Sequence, residues 1–382
     1  MREAGATRKA PYLIILKAGP THKISDQVEF LAQTLSERLS GEVWTFGPAR
    51  IEVKVGNFLV KCDKAAEAGA LSKLLYMGRR IVQGVRTVRR VRREDGAAVL
   101  ISYDPLREGL IAYAIHALSG ARFIVEINNA YGCRKNVIDL GTGWRATLKF
   151  SIMKAVASFV IARANGVRLM YKEQLVGLSV DVPSEKILYS FDAVPLDRFV
   201  DLGSEKTVLF VGYPFLRKGV DLLLTAFEGL QDEFPDWELV IVGHEMPEKV
   251  AERRPKIRRL SVLRGMPNVE IVKWFGRAGI FVLPSRSEGI PRVLIEAAAA
   301  RRPRIATDVD GTYTVLHDGK DGMLIPPEDV VALQGALRRL MGSEALRDEF
   351  GEAARRMVHE HFSPAAYSAA VTGFVEKICG QY

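Results

Sequence analysis

Leu283-Pro284-Ser285-Arg286-Ser287-Glu288-Gly289-Ile290-Pro291-Arg292-Val293-Leu294-Ile295-Glu296-Ala297 is the stretch that decides the reading of this chain. An apolar run ends, a loop with a glycine follows, and a helix begins with Pro291 in its first turn, where proline is favoured. A helix N-terminus offers unpaired N–H groups and a positive dipole end, which suit a phosphate. Glu296 stands over one turn into that helix, where a carboxylate can accept hydrogen bonds from two vicinal hydroxyls, as on a ribose. Glu288 lies in the loop, nearer the position of a reacting group. Two solvated glutamates at a helix start would be the bland alternative. Their setting, a strand end followed directly by a helix start, favours a ligand site.

The same alternation runs outward from this point. In the second half, apolar strand candidates at 208–211, 239–242, 260–263, 280–283, 304–306 and 323–325 are separated by amphipathic stretches at 220–234, 267–278, 291–301 and 329–341. Such alternation predicts a parallel sheet wound with helices on both faces. Near-continuous apolar strands such as Leu209-Phe210-Val211 fit a sheet covered on both sides. The first half repeats the scheme at 12–16, 43–46, 99–103, 123–126, 167–171 and 187–190. Its first helix has Ser25 as cap, Val28, Leu31, Leu35 and Leu39 on one face, and Gly41 as terminator. The expected architecture is α/β, with two doubly wound Rossmann-like domains facing across a cleft and joined near 194–206. Ligands of such sheets sit beyond the carboxyl ends of the strands, so the informative loops follow Leu16, Tyr103, Glu126, Val211, Val242, Leu283 and Ala306.

Composition bounds the rest. The 382 residues, 26% charged and 48% apolar, are enough for two or three domains with sizeable cores. Cys62, Cys133 and Cys379 are far apart with no CxxC, which excludes a disulfide framework and a sequence-local zinc site and suits a reducing cytosol. No run approaches the ~18 apolar residues of a membrane span. The run 12–16 is shorter than the about 7–15 residues of a signal-peptide core and reads as a first strand. The chain is therefore expected in the cytoplasm, or peripheral at the inner face of the cytoplasmic membrane. The net charge of +9 is unevenly placed: residues 1–195 carry 29 Lys/Arg against 18 Asp/Glu, and residues 196–382 carry 25 against 27.

Much of that excess lies in 70–93, which holds eight basic residues (Lys73, Arg79, Arg80, Arg86, Arg89, Arg90, Arg92, Arg93) and no acid. Leu71, Leu74, Gly78, Ile81, Val85 and Val88 recur by three and four and form one apolar helical face, expected to pack in the core. The basic face fits an anionic membrane surface, where each Lys or Arg adds about 1 kcal/mol. Nucleic acid is not expected, because no recognised binding motif or aromatic stacking set accompanies the charges.

At the Glu288 to Glu296 spacing, within an EG-x-P-x-x-x-x-E-A context, the chain resembles the retaining glycosyltransferases of family 4, which have the GT-B fold. Gly212-Tyr213-Pro214-Phe215-Leu216-Arg217-Lys218-Gly219-Val220-Asp221-Leu222-Leu223 is similar to that family's strand–loop–helix with a Lys-Gly pair, and Leu239-Val240-Ile241-Val242-Gly243 to its next strand. The resemblance is strong over 207–362 and weaker over 97–130 and 160–200. It implies an N-terminal acceptor domain at 1–196, a nucleotide-sugar domain at 197–362, and a helix at 363–382 that crosses back to the first domain. It implies donor contacts from Gly212, Tyr213, Arg217, Lys218, Gly243, Gly289, Ile290, Pro291, Arg292, Val293 and Glu296. Lys218 would neutralise the donor diphosphate, Glu288 would hold the donor sugar with the Gly289 and Ile290 backbone, and Glu296 would hold the ribose. Asn128 joins Glu288 and Lys218 as a catalytic candidate, and Gly19, His22, Asp104 and Asn129 are acceptor candidates.

Three positions depart from the family pattern. Tyr213 stands where an arginine is usual, with Arg217 one residue before Lys218 as a replacement charge. Asn128-Asn129 stand where a histidine is frequent, and 309–314 replaces a Gly-Gly and Glu loop. Asp308-Val309-Asp310 imitates the DxD of metal-dependent enzymes. The resemblance instead implies no metal and no other cofactor, with cationic groups at the diphosphate. The function expected is transfer of a sugar from a UDP- or GDP-linked donor to a saccharide or lipid-linked acceptor hydroxyl, in surface polysaccharide or glycolipid synthesis. The alternatives are a GT-B sugar-nucleotide epimerase or phosphorylase, and a non-catalytic nucleotide-sugar-binding module.

Overall fold

The computed structural model describes residues 10–20, 26–47, 49–64, 70–94, 96–133, 143–244, 256–264 and 266–380. The chain divides into two units: Met1–Ala193 with Ala365–Tyr382, and Val194–Pro364.

The N-terminal unit holds one eight-stranded sheet built from β1 (Tyr12–Pro20), β2 (Ser40–Gly47), β3 (Ile51–Val55), β4 (Phe58–Lys64), β5 (Ala98–Ser102), β6 (Arg122–Ile127), β7 (Gly166–Leu169) and β8 (Ile187–Tyr189), in the order β3-β4-β2-β1-β5-β6-β7-β8. Every pairing is parallel except the β3–β4 hairpin. Its helices include α1 (Asp26–Leu35), α2 (Ala70–Arg93), α3 (Arg107–Ser119) and α4 (Trp144–Arg163). Alternate strand residues enter two different cores. Leu100, Phe123, Val125 and Val167 pack with Ile111, Ile115 and Val160 on one face. Leu13, Ile15, Val99, Ile101 and Ile124 pack with Val28, Leu31 and Leu35 on the other. Burial of both faces is why these strands read as continuous apolar runs.

Three expectations are corrected here. Gly41 does not end α1, which stops at Leu35; it lies in β2, where a Cβ would stand 2.1 Å from the Leu13 carbonyl oxygen. The β3–β4 hairpin was not anticipated, although Ile51-Glu52-Val53-Lys54-Val55 alternates and Gly56-Asn57 supplies a two-residue turn with Gly56 at φ +54°. The apolar face expected of α2 is only partly core. Val88 is fully buried, Ile81 and Val85 are half-buried, and Leu71 and Leu74 are exposed. A helix of 24 residues spans ~36 Å, longer than the strands it crosses, so its first turns run past the sheet. Its packing face joins Tyr76, Met77, Ile81, Val85, Val88 and Val91, which meet the core, to the buried Arg80, Gly84 and Thr87.

The C-terminal unit comprises β9 (Thr207–Val211), α5 (Val220–Glu228), β10 (Glu238–Gly243), β11 (Leu260–Arg264), α6 (Asn268–Arg277), β12 (Ile280–Leu283), α7 (Arg292–Ala299), β13 (Arg304–Thr307), β14 (Met323–Ile325), α8 (Val330–Gly342) and α9 (Glu344–Phe362). Its sheet is parallel throughout, in the order β11-β10-β9-β12-β13-β14. The order reverses between β9 and β12, so the loops that leave these neighbouring strands diverge and open a crevice at their carboxyl ends. The helix expected at 220–234 is shorter: α5 stops at Glu228, before Gly229.

After the C-terminal unit, α10 (Pro364–Cys379) belongs again to the first unit. It buries Tyr367, Val371, Phe374 and Val375 in the same core as α1, and Gly166 on β7 leaves space for the Phe374 ring, which a Cβ would meet at 2.8 Å. Among the described residues no helix is long and apolar enough to cross a membrane.

Candidate functional site

The loops after β9, β12 and β13 meet at the switch point of the second sheet. The loop after β9 turns into α5 through Gly219, at φ +71°, whose Cβ would stand 1.9 Å from the Pro284 carbonyl oxygen. Only glycine tolerates both that backbone and that approach. The close passage sets Lys218 against the loop after β12. Lys218 Nζ donates to both Glu288 oxygens, at 2.6 and 2.8 Å, and Ser285 Oγ donates to Glu288 Oε1 at 2.6 Å. The Lys218 and Glu288 side chains are 12% and 6% exposed, so the pair is held out of bulk water.

The loop after β13 supports the pair from the other side. Asp310 Oδ2 accepts from the Glu288 backbone N–H and from Ser287 Oγ, both at 2.9 Å, and Thr307 Oγ1 donates to the Ser285 carbonyl at 2.5 Å. Asp310 is thereby committed to the loop, while Asp308 is exposed, so the Asp308-Val309-Asp310 string does not present two converging carboxylates. Arg286 braces the rim, bidentate to Asp221 at 2.8 Å and paired with Glu328. Burial raises the Asp221 carboxyl, but the Arg286 guanidinium outweighs it and holds the acid below the usual range.

The remaining donor candidates lie around this pair. Arg217 is exposed and donates to the Ser287 carbonyl at 3.1 Å, on the rim beside Lys218. Gly212 and Gly243 end neighbouring strands, and Gly243 must be small because a Cβ would reach Phe215 at 2.4 Å. Tyr213 is 52% exposed, with its ring edge-to-face against His244 at 5.4 Å. Gly289 is exposed with open space where its Cβ would be, and Ile290 and Pro291 lead into α7. Glu296, on α7, is bound by Arg292 at 3.2 Å; burial holds its carboxyl above the usual range despite that arginine. Val293 lies half-buried in the first turn of α7.

On the N-terminal unit, Asp104, Asn128 and Asn129 lie on the loops after two adjacent strands, β5 and β6. Asn128 donates to the Tyr103 carbonyl, and Asn129 Oδ1 accepts from Ala130 N at 3.0 Å. Asp104 accepts from Leu106 N at 2.7 Å, and burial, with the nearby Glu108 charge, pushes its carboxyl up to about 6. Gly19 lies in β1, with no side-chain environment described, and His22 lies outside the described residues. Sequence reasoning missed Ser285, Asp310, Asp221 and Arg286. The signal was there, since all four lie in loops after β9, β12 or β13 or at the helix start beyond, but only the strand order makes those loops neighbours.

Residues 198–357 match the model of the family described as Glycosyl transferases group 1. A phosphatidyl-myo-inositol mannosyltransferase of Mycolicibacterium smegmatis is 27% identical over 370 residues, covering 94% of this chain and 90% of that protein. Two solved structures have similar folds. Sucrose-phosphate synthase from Thermosynechococcus elongatus superposes with a TM-score of 0.70 at 16% identity, covering 97% of this chain and 100% of that one. Anabaena HepE in complex with UDP also gives 0.70, at 12% identity, covering 96% of this chain and 100% of that one.

Proposed function

We infer the reaction from the premise that residues 198–357 belong to the glycosyl transferases group 1 family: the chain is a glycosyltransferase, and it moves a sugar from a nucleoside diphosphate to an acceptor hydroxyl with retention of configuration. The observation that carries this reading is the Lys218–Glu288 pair at the switch point between β9 and β12. With donor bound, the Lys218 ammonium turns to the diphosphate and stabilises the charge that develops as the glycosidic bond breaks. Glu288 then accepts from hydroxyls of the donor sugar, and Glu296 accepts from the ribose. The acceptor hydroxyl attacks on the face that the diphosphate leaves, and the departing phosphate oxygen takes its proton. The acceptor is recognised on the N-terminal unit, where Asn128 offers an amide to a sugar hydroxyl.

The mannosyltransferase similarity and the basic α2 support a lipid-linked acceptor at an anionic membrane surface. Two of the eight basic residues of that helix serve the protein itself: Arg80 donates to the Thr45 carbonyl at 2.6 Å, and Arg90 pairs with Glu42 at 2.8 Å. The others remain for the surface.

Thermal-shift screening with UDP-, GDP- and ADP-sugars, followed by NMR of the product anomer, tests the reading. A shift with one nucleotide-sugar family, smaller in Glu296→Ala, and a product of retained configuration are expected. No shift with any nucleotide, or an inverted product, overturns it. Conversion of donor without acceptor would make the chain an epimerase.

A further inference from the structure

Among the described residues, three that are not glycine take a left-handed backbone: Arg301, Asp310 and Glu328, at φ 62°, 47° and 61°. Residues with a Cβ avoid that region because the Cβ crowds the following carbonyl, and they stay there only where their surroundings over-determine them. Each of the three makes a contact through its charged group. Arg301 pairs with Asp201 and Glu352, and Glu328 pairs with Arg286. Asp310 differs in what it holds. Its Oδ2 accepts from the backbone N–H of Glu288 and from Ser287 Oγ, both at 2.9 Å.

The neighbouring glycine does not explain this turn. Gly311 has φ −90°, which any residue adopts, while the left-handed position one residue earlier is an aspartate. Glycine at 310 would take the same backbone at no steric cost. The backbone at 310 is therefore a cost, and the hold of its carboxylate on residues 287 and 288 offsets it. That hold acts on the main chain of Glu288. The Glu288 carboxylate is oriented separately, by Lys218 Nζ and Ser285 Oγ. Two more bonds run alongside: Thr307 Oγ1 donates to the Ser285 carbonyl at 2.5 Å, and Gly311 N donates to the Gly289 carbonyl at 3.2 Å. The loop after β13 is thus stitched along 285–289. Lys218 is anchored elsewhere, by the close passage of Gly219 under Pro284. The cation and the carboxylate of the site therefore have separate supports.

We propose that Asp310 is a positioning residue for the donor sugar: through the main chain of Glu288 it aims that carboxylate at the sugar hydroxyls, and so governs the sugar's share of donor binding and not the nucleotide's. This rests on the transferase reading, in which Glu288 holds the sugar and Lys218 the diphosphate.

Two variants of the full chain test it. Asp310→Gly keeps the left-handed backbone and removes the carboxylate. Asp310→Asn tolerates that backbone and keeps one acceptor oxygen, which suffices because both bonds end on Oδ2. Calorimetry gives Kd for UDP-glucose, UDP-N-acetylglucosamine and GDP-mannose, and for UDP and GDP, with circular dichroism on the same samples. The ratio of nucleotide-sugar Kd to nucleoside diphosphate Kd should rise about tenfold in Asp310→Gly, as for loss of a charge-assisted hydrogen bond. In Asp310→Asn it should stay within about twofold of the wild type, because the acceptor is kept. In a Glu288→Ala background, Asp310→Gly should raise the ratio no further, since its effect travels through Glu288. An unchanged ratio, equal weakening of both ligand types, loss of the folded spectrum in Asp310→Gly, or an asparagine variant as impaired as the glycine one overturns the role of Asp310. Nucleotide-sugar binding by the wild type would leave the transferase reading standing in each of those cases. A wild type that binds none of the three nucleotide-sugars overturns the sugar role of Glu288 and that of Asp310 together, and one that binds no nucleotide at all overturns the transferase reading itself.

Discussion

At the scale of single residues, the transferase reading proposed above rests most on Lys218. Lys218→Ala should lower turnover at saturating donor by about 10²–10³, as for loss of one preorganised charge-stabilising donor. Steady-state kinetics with circular dichroism on the same sample would show it, and an unchanged kcat would remove Lys218 from the mechanism. Asp104 makes a different kind of prediction. Its carboxyl is raised in the fold from 3.8 to about 6 by burial, so the native state binds its proton more tightly than the unfolded chain does. Its contribution is then fully present below pH ~4 and is lost as pH rises through about 6, because the unfolded state binds fewer protons in that window. Asp104→Asn, which keeps an oxygen acceptor for Leu106 N, should therefore gain stability relative to wild type between those limits and hold a constant difference above them. Urea unfolding across that range reads it, and a pH-independent difference would refute it. Glu288, Glu296 and Lys218 were all legible as candidates in the sequence. Their mutual geometry was not, because Lys218 and Glu288 lie 70 residues apart and only the β9–β12 adjacency brings them together.

At the scale of elements, the parallel strands were legible because burial on both faces leaves little room for polar residues. The β3–β4 hairpin was harder to see: it is an edge with one face exposed, and its polar alternation resembles a loop between helices. The expected core stripe of α2 holds only in its C-terminal half, for a related reason. Periodicity names a helical face, but not how far along the helix a neighbour extends to cover it. The true contact is made at Gly84, where a Cβ would meet Ile115 Cδ1 on α3 at 2.3 Å. Gly84→Ala should therefore destabilise the N-terminal unit by about 1–3 kcal/mol through overpacking. In a double-mutant cycle with Ile115→Val the two changes should couple favourably, since the smaller partner yields the space. Strictly additive unfolding free energies would show that α2 and α3 do not meet there.

At the scale of the whole chain, the division into two units carries its own test. The described residues of α10 complete a core otherwise built from 10–193. A chain stopped after Ser363 loses Tyr367, Val371, Phe374 and Val375 from it. That truncation should leave the N-terminal unit open to limited proteolysis while the C-terminal unit keeps its nucleotide-dependent thermal shift. Equal protease resistance of truncated and intact chains would mean that α10 is dispensable to that core.

The return of α10 to the first unit also has a consequence for synthesis on the ribosome. Domains emerging in order normally fold in order, at about 5–20 residues per second. Here the stretch Val194–Pro364 must be made before the residues that finish the first core appear. For roughly 10–30 seconds the nascent N-terminal unit would present Phe374's vacant place beside Gly166, together with the apolar residues that α10 later covers. In that interval the C-terminal unit, continuous in sequence, can finish folding before the unit that precedes it. A holdase chaperone that shields apolar surface would find its longest-lived target in the half of the chain that was translated first.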